Sequence, residues 1–249
     1  MPAIPFPKRK VPRSVALEEL AILERTYPDA ITALDYRNDF ELLIAVILSA
    51  QCTDARVNMT TPSLFAKYPT PADLGRAKQA DVEKIVKSCG FFRMKARNVI
   101  ACARDLVERF GSEVPREREQ LESLAGVGRK TASVVMANAF AQAALAVDTH
   151  VFRVAHRLGL TLGKTPRNVE EDLTALVPPE KWGAATHWLI LHGRALCKAP
   201  TPMCSRCPVN ALCPTPAILA KSLTVRARSG DRAPVAPRRT RSVSKGKKR

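Results

Sequence analysis

Four cysteines, Cys197, Cys204, Cys207 and Cys213, fall within seventeen residues in the spacing C-x6-C-x2-C-x5-C. Thiols at that density, with too little chain between them to bury a core, point to one shared centre. Zinc and iron–sulfur clusters both accept four thiolates. Structural zinc sites usually pair their cysteines as two short knuckles, and this run has one, Cys204 with Cys207, so the spacing favours iron–sulfur and leaves zinc open. A disulfide framework fits less well, because the chain holds seven cysteines, an odd count. Cys52, Cys89 and Cys102 lie in apolar contexts and read as small buried hydrophobes.

A second stretch offers backbone chemistry. Residues 121–136 read as a short apolar helix, a Gly126-Val127-Gly128 turn and a second amphipathic helix. The two glycines let the chain turn tightly and approach a ligand without a Cβ, while the free N–H groups that open the next helix point outward at the positive end of its dipole. Such a turn suits a phosphate. It is not a P-loop, because Arg129 separates Gly128 from Lys130 and a helix, not a strand, precedes it. The same pattern also serves as a ligand-free connection between helices.

The elements that must position these groups are helical almost throughout, with no convincing period-two stretch, so the expected class is all-α. Ser14 is expected to cap a helix whose apolar face is Ala16, Leu20, Leu23 and Tyr27, with Glu18 and Glu19 in its first turns. Residues 40–50 read as a core helix despite Glu41. Asp54 opens a short helix, and Thr61-Pro62 reads as the cap and first position of another running to Tyr68. Asp81 opens a helix over 82–89 closed by Gly90, a long segment runs from about Phe92 to Gly111, and a helix over 170–177 stops at Pro178-Pro179.

The net charge of +17 suggests a polyanionic partner, and its distribution is uneven. Residues 221–249 carry +10 and residues 1–14 carry +4, which leaves only +3 for the body between 15 and 220. Both ends, rich in Pro, Ser, Arg and Lys, are expected as disordered basic arms that add salt-sensitive affinity for nucleic acid. No stretch reaches the roughly 18 apolar residues a membrane span needs. The basic, proline-broken N-terminus has no apolar core of a signal peptide, so a cytoplasmic, nucleoid-associated location is expected.

Read in order, five segments resemble the helix-hairpin-helix DNA glycosylases, and within them the bacterial endonuclease III family. They are residues 48–54, the hairpin 124–131, residues 147–150, residues 187–193 and the four-cysteine run, and the resemblance covers roughly 15–215. It implies a 4Fe-4S cluster on Cys197, Cys204, Cys207 and Cys213. It also implies two helical domains with a DNA-binding cleft between them: residues 32–142 as a six-helix domain, and 15–31 joining 143–215 around the cluster, with 1–14 and 216–249 as arms. The function implied is that of a monomeric base-excision repair enzyme on damaged double-stranded DNA. It would remove oxidised pyrimidines and cleave abasic sites.

Within that resemblance Lys130 is the candidate nucleophile and Asp148 the catalytic carboxylate. An amine with an ordinary pKa of about 10.4 is neutral in roughly one molecule in a thousand at neutral pH, so an attacking lysine must sit where its charged form is disfavoured. The positive end of a helix beside Arg129 is such a place. Asp148 is also a good N-cap for a helix running to Leu158, and the two roles are compatible. Gln51 and Phe91 match positions that fill the gap left by a flipped base, while Gly126, Gly128, Arg129, Thr131 and His150 would meet the phosphates. Asp54 is a candidate pocket wall.

Several residues depart from the family's pattern. Phe91 stands where relatives more often have an aliphatic side chain, Ala125 stands where many have proline, and the loop between Cys197 and Cys204 offers DNA only Lys198, joined by Arg206 beyond it. The basic tail is expected to supply part of the missing affinity. Two rivals bear on function: a monofunctional adenine-mismatch glycosylase, which characteristically lacks the lysine, and a non-catalytic iron–sulfur module that binds damaged DNA and leaves it intact.

Overall fold

The computed structural model describes residues 4–220. Of the arm expected as disordered over 216–249, residues 216–220 are helical; the rest, with its expected contribution to DNA affinity, lies outside the described residues. Within the described residues the protein is all-α.

The first core forms around α2 (Asp39–Ser49), whose residues from Phe40 to Leu48 are all buried. The Asn38 side chain starts this helix by accepting from the Glu41 N–H, and Glu41 itself, 2% exposed, accepts from Arg37 N at 2.8 Å and Arg37 Nε at 2.9 Å. A carboxylate inside an apolar helix is thereby satisfied. Around α2 pack α3 (Asp54–Lys67), α6 (Phe92–Phe110) and α8 (Arg129–Ala139). The short α4 (Pro71–Gly75) and α5 (Gln79–Val86) lie against α6, and α7 (Arg118–Glu122) lies against α8. One continuous apolar cluster runs through them from Leu34 to Val135.

A second cluster unites the two ends of the described chain. It joins Ala16, Leu20 and Leu23 of α1 (Arg13–Thr26) to apolar residues of α9 (Thr149–Leu158), α10 (Pro166–Thr174) and α11 (Trp182–Ala195), and ends at Val209.

Several helix boundaries differ from the sequence expectation, each for a local reason. Helix α1 opens at Arg13 behind Pro12, whose carbonyl accepts from Ala16 N at 3.0 Å, so Ser14 is not its cap; Glu19 is fully buried. The segment expected as a disordered arm over 1–14 is fastened over its described part: Phe6 stacks on His156, Lys10 Nζ meets Asp172 at 2.6 Å, and Val11 N bonds Gly159 O at 3.0 Å. Thr53 caps α3, which runs unbroken through Pro62 because Val57, Leu64 and Phe65 bury one continuous face. Asp81 lies within the first turn of α5, and residues 87–89 tighten into a 3-10 turn. Thr165 caps α10 at Asn168 N, four residues ahead of the expected start.

Candidate active site

Three helix starts converge on one open cleft of about 730 Å³, lined by Gln51, Asp54, Lys130, Asp148, His150 and Arg194 among others. Each start has a local cause. Gly126 adopts φ +80°, and a Cβ there would lie 3.0 Å from Asn98 Cβ and Nδ2, so the hairpin needs glycine at that point. Gly128 caps α8 with φ −105°, and a Cβ on it would meet nothing within 4 Å. The chain's own packing therefore does not require Gly128; what its bareness offers is access to backbone from outside. Lys130 follows as the second residue of α8 and is exposed.

Asp148 caps α9 as its sequence suggests. Oδ1 accepts from both His150 N and Val151 N at 2.8 Å. Both bonds fall on one oxygen, which leaves Oδ2 for a partner in the cleft. Gln51 reaches the cleft from the turn after α2, where it holds the left-handed φ of +53°. Asp54, in the first turn of α3, pairs with Arg194 of α11 at 2.9 Å. A smaller cavity adjoins the cleft through Asp54, Lys130, Asp148 and Arg194 and extends to His187.

The charges around Lys130 form a set. His150 is held below its ordinary pKa first by burial and then by the cations Arg153, Arg194 and Lys130, with Asp148 opposing. Arg153 Nη2 lies 3.2 Å from His150 Nδ1. Arginine has no acceptor, so Nδ1 accepts and the ring proton sits on Nε2. Burial likewise lowers His187, with Arg194 adding to the shift. Arg129 departs from expectation. Its guanidinium donates to Glu170 through Nε at 2.8 Å and Nη2 at 3.0 Å, so it does not stand beside Lys130 as an unpaired cation.

Phe91 is not brought into the cleft lining. It stands 63% exposed at φ +44° on the turn before α6, a projecting ring and not a buried one. Lys95, only 2% exposed, fastens that turn by donating Nζ to Cys89 O at 2.5 Å. Thr131 is half-buried beside Lys130. The sequence reading missed Arg194, Arg153 and Glu170, and gave no role to His187 of the singled-out stretch 187–193. Arg194 directly follows that stretch, but the partners of Arg153 and Glu170 are set by tertiary packing.

The four cysteines of the C-terminal run line one small cavity of about 20 Å³ together with Leu158, His192 and Met203. None of the four is in a disulfide. Burial pushes Cys204 and Cys207 up and Cys213 up to about 12. Among the described residues no three His, Cys, Asp or Glu side chains converge as ligands of a single ion. Four cysteines lining one cavity fit a metal centre bound by four thiolates. Arg157, 3% exposed, holds the loop by donating Nη1 to Cys197 Sγ at 3.5 Å and Lys198 O at 2.7 Å, and Nη2 to Ala199 O at 2.6 Å. Lys198 and Arg206 are exposed.

Residues 44–179 match the family described as HhH-GPD superfamily base excision DNA repair protein. The chain is 47% identical over 201 residues to endonuclease III of Synechocystis, which covers 80% of this chain and 92% of that protein. It is 45% identical over 197 residues to endonuclease III of Escherichia coli K12, covering 79% and 93%. A solved endonuclease III trapped as a covalent intermediate with DNA superposes with a TM-score of 0.81 at 43% identity, across 84% of this chain and 99% of that one. No helix among the described residues is long and apolar enough to cross a membrane. At this identity over most of both chains, and with this superposition, the chain belongs to the endonuclease III family and is a base-excision repair DNA glycosylase and abasic-site lyase.

Proposed function

We propose that the enzyme acts as a monomer on damaged duplex DNA, removes oxidised pyrimidines, and uses Lys130 for both of its chemical steps. The observation that carries this reading is that Lys130 and Asp148, from the starts of two different helices, line the same cleft. The Lys130 amine attacks C1′ of the damaged nucleotide, and the N-glycosidic bond breaks as the base departs with a proton. The nitrogen then forms an imine to C1′ as the C1′–O4′ bond breaks, which opens the sugar ring and leaves O4′ as a hydroxyl. Loss of a C2′ proton expels the 3′ phosphate by β-elimination. Asp148 Oδ2 stabilises the cationic sugar, and the neutral His150 beside it is available for hydrogen bonding to the sugar-phosphate backbone.

The remaining roles follow from position. Gln51 reaches into the cleft to bond the orphaned partner base, and the exposed Phe91 ring stacks into the duplex from outside it. The hairpin backbone at Gly126 and Gly128 meets a phosphate, with Thr131 beside it, and Arg129 lies next to that phosphate with its charge held by Glu170. Two apolar cores support a division into a domain of 32–142 and a domain of 15–31 with 143–215, so that the cleft lies between them. Cys197, Cys204, Cys207 and Cys213 would hold a 4Fe-4S cluster. That group would cross-link the C-terminal loop and so fix α9 and α11, which carry Asp148 and Arg194. Such a substrate places the enzyme with the nucleoid in the cytoplasm.

Borohydride reduces an imine to a stable amine, so the test is a covalent adduct with duplex DNA bearing one abasic site or one oxidised thymine. The wild type should form adducts with both, and Lys130→Ala with neither. An adduct that persists in Lys130→Ala would refute the assignment of the nucleophile. An abasic strand left intact by the wild type would refute the lyase step.

A further inference from the structure

The turn that carries Phe91 is held by a residue the chemistry does not use. Gly90 and Phe91 are two successive residues at positive φ, +65° and +44°, between the 3-10 turn over Lys87–Cys89 and α6. The left-handed region suits glycine, and a bulky aromatic residue there is strained. Burial of the ring does not offset that strain, because Phe91 is 63% exposed. A Cβ at Gly90 would meet nothing within 4 Å, so no wall of side chains shapes the turn from outside.

Lys95 brackets the two residues. Its backbone N–H donates to Phe91 O at 3.1 Å and its Nζ donates to Cys89 O at 2.5 Å, so one residue grips the chain on both sides of Gly90. The stretch ahead of that grip is fixed on α3. Cys89 Sγ lies 3.6 Å from Thr60 Oγ1, Ser88 Oγ lies 3.1 Å from the same oxygen, and Thr60 Oγ1 donates to Arg56 O at 2.8 Å. Lys95 is 2% exposed, and the acceptor its ammonium meets is a carbonyl, not a carboxylate. Burying an ammonium against a neutral partner costs stability, and an apolar side chain of the same length would fill the space without that cost. What the ammonium adds is a charge-assisted hydrogen bond to the carbonyl that precedes the strained pair.

We propose that Lys95 is a positioning residue for insertion into DNA: its bond to Cys89 O holds Gly90 and Phe91 in their left-handed turn before DNA arrives, so that the Phe91 ring projects ready to enter the duplex. This role rests on the one given above to Phe91. Without the bond the turn relaxes toward less strained backbone, and part of the free energy of each insertion goes to restoring it. The effect falls on insertion alone. An undamaged duplex, held at its phosphates and offering no gap to fill, gains nothing from the projecting ring.

The test compares the wild type, Phe91→Ala, Lys95→Met and the double variant, each as the full chain with its cluster intact. Affinity is measured for a duplex with an uncleavable abasic analogue and for the same duplex undamaged. Methionine keeps the apolar stem and removes the donor. Lys95→Met should weaken binding to the analogue by about tenfold, the scale of one lost base–aromatic stack, and leave the undamaged duplex within about twofold of the wild type. The double variant should bind the analogue no more weakly than Phe91→Ala, because Lys95 acts through that ring. Equal losses on both duplexes would make Lys95 a general support of the fold and overturn the proposal, as would single losses that multiply in the double variant. Gly90→Ala is the second variant should Lys95→Met not fold, since it meets open space and leaves Lys95 in place while straining the same turn. It should show the same selective loss, and unchanged affinity for the analogue would overturn the proposal. If Phe91→Ala itself binds the analogue as the wild type does, the role of the ring falls and that of Lys95 with it. If Phe91→Ala loses affinity and Lys95→Met does not, only the role of Lys95 falls.

Discussion

Arg129 and Glu170 join the hairpin helix to α10 through two parallel hydrogen bonds, at 2.8 and 3.0 Å, across the boundary between the two cores. Glu170 is mostly buried and Arg129 partly exposed, with side-chain exposures of 13% and 44%. The pair thus spends a cation of the DNA-facing hairpin on holding the cores together.

Releasing that cation has two separable effects. Glu170→Gln should steepen the salt dependence of DNA binding by about one unit of slope, because one more positive charge becomes free to displace a counterion. A double-mutant cycle of Arg129→Ala with Glu170→Ala should give a coupling of about 1 kcal/mol in thermal or denaturant unfolding. An unchanged salt slope in Glu170→Gln would show that Arg129 faces no phosphate even when freed.

Asp148 combines a cap with a proposed catalytic charge, and two substitutions separate them. Asparagine caps as well as aspartate does, so Asp148→Asn should keep the melting temperature and lose base-removal rate. Asp148→Ala should lose the rate together with about 1 kcal/mol of stability. If the asparagine variant retains the wild-type rate, the carboxylate acts only as a cap.

The hairpin glycines should respond in opposite ways. Gly126→Ala forces a Cβ against Asn98 at positive φ and should cost about 1–2 kcal/mol of stability. Gly128→Ala meets open space, so it should leave stability within about 0.5 kcal/mol of the wild type while weakening DNA binding, because the new methyl group intrudes only on what approaches from outside. Equal affinities for the Gly128→Ala variant and the wild type would remove the phosphate from that place.

Glu19 is fully buried with neither carboxylate oxygen partnered among the described residues, and burial pushes its pKa up to about 8 from an ordinary 4.5. Between those values the folded protein keeps a proton that the unfolded chain has lost. The stability is therefore fully present below about pH 4.5 and falls as pH rises through about 8. Melting temperatures of the wild type should decline relative to Glu19→Gln between about pH 5 and 8.5. A gap between the two curves that stays constant over that range would be inconsistent with a neutral buried acid.

Local patterns announced much of this molecule. The Asp148 cap, the Gly126-Val127-Gly128 turn and the long helix ending at Gly111 are set by residues within a few positions of one another, and all three are where the sequence places them. What escaped depends on distant partners. Arg129 is paired by a residue 41 positions away and Arg194 by Asp54 on another helix. Pro62 stays inside α3 because the apolar face on both sides of it is buried, a tertiary gain that overrides the cost of a missing N–H. The N-terminal segment looked like a solvated arm by composition, and three anchors at Phe6, Lys10 and Val11 hold it down.

The second core draws on both ends of the described chain, with Tyr27 Oη 3.2 Å from His192 Nδ1 although the two are 165 positions apart in sequence. A nascent chain therefore emerges with α1 unable to bury its apolar face until α9, α10 and α11 have left the ribosome. The first core, contiguous from Leu34 to Val135, has everything it needs long before that and can assemble ahead of the rest. Closing so long a loop costs entropy before any contact repays it, so the docking of α1 is the late step of folding. Until that step is complete the second core lacks its Ala16, Leu20 and Leu23 wall.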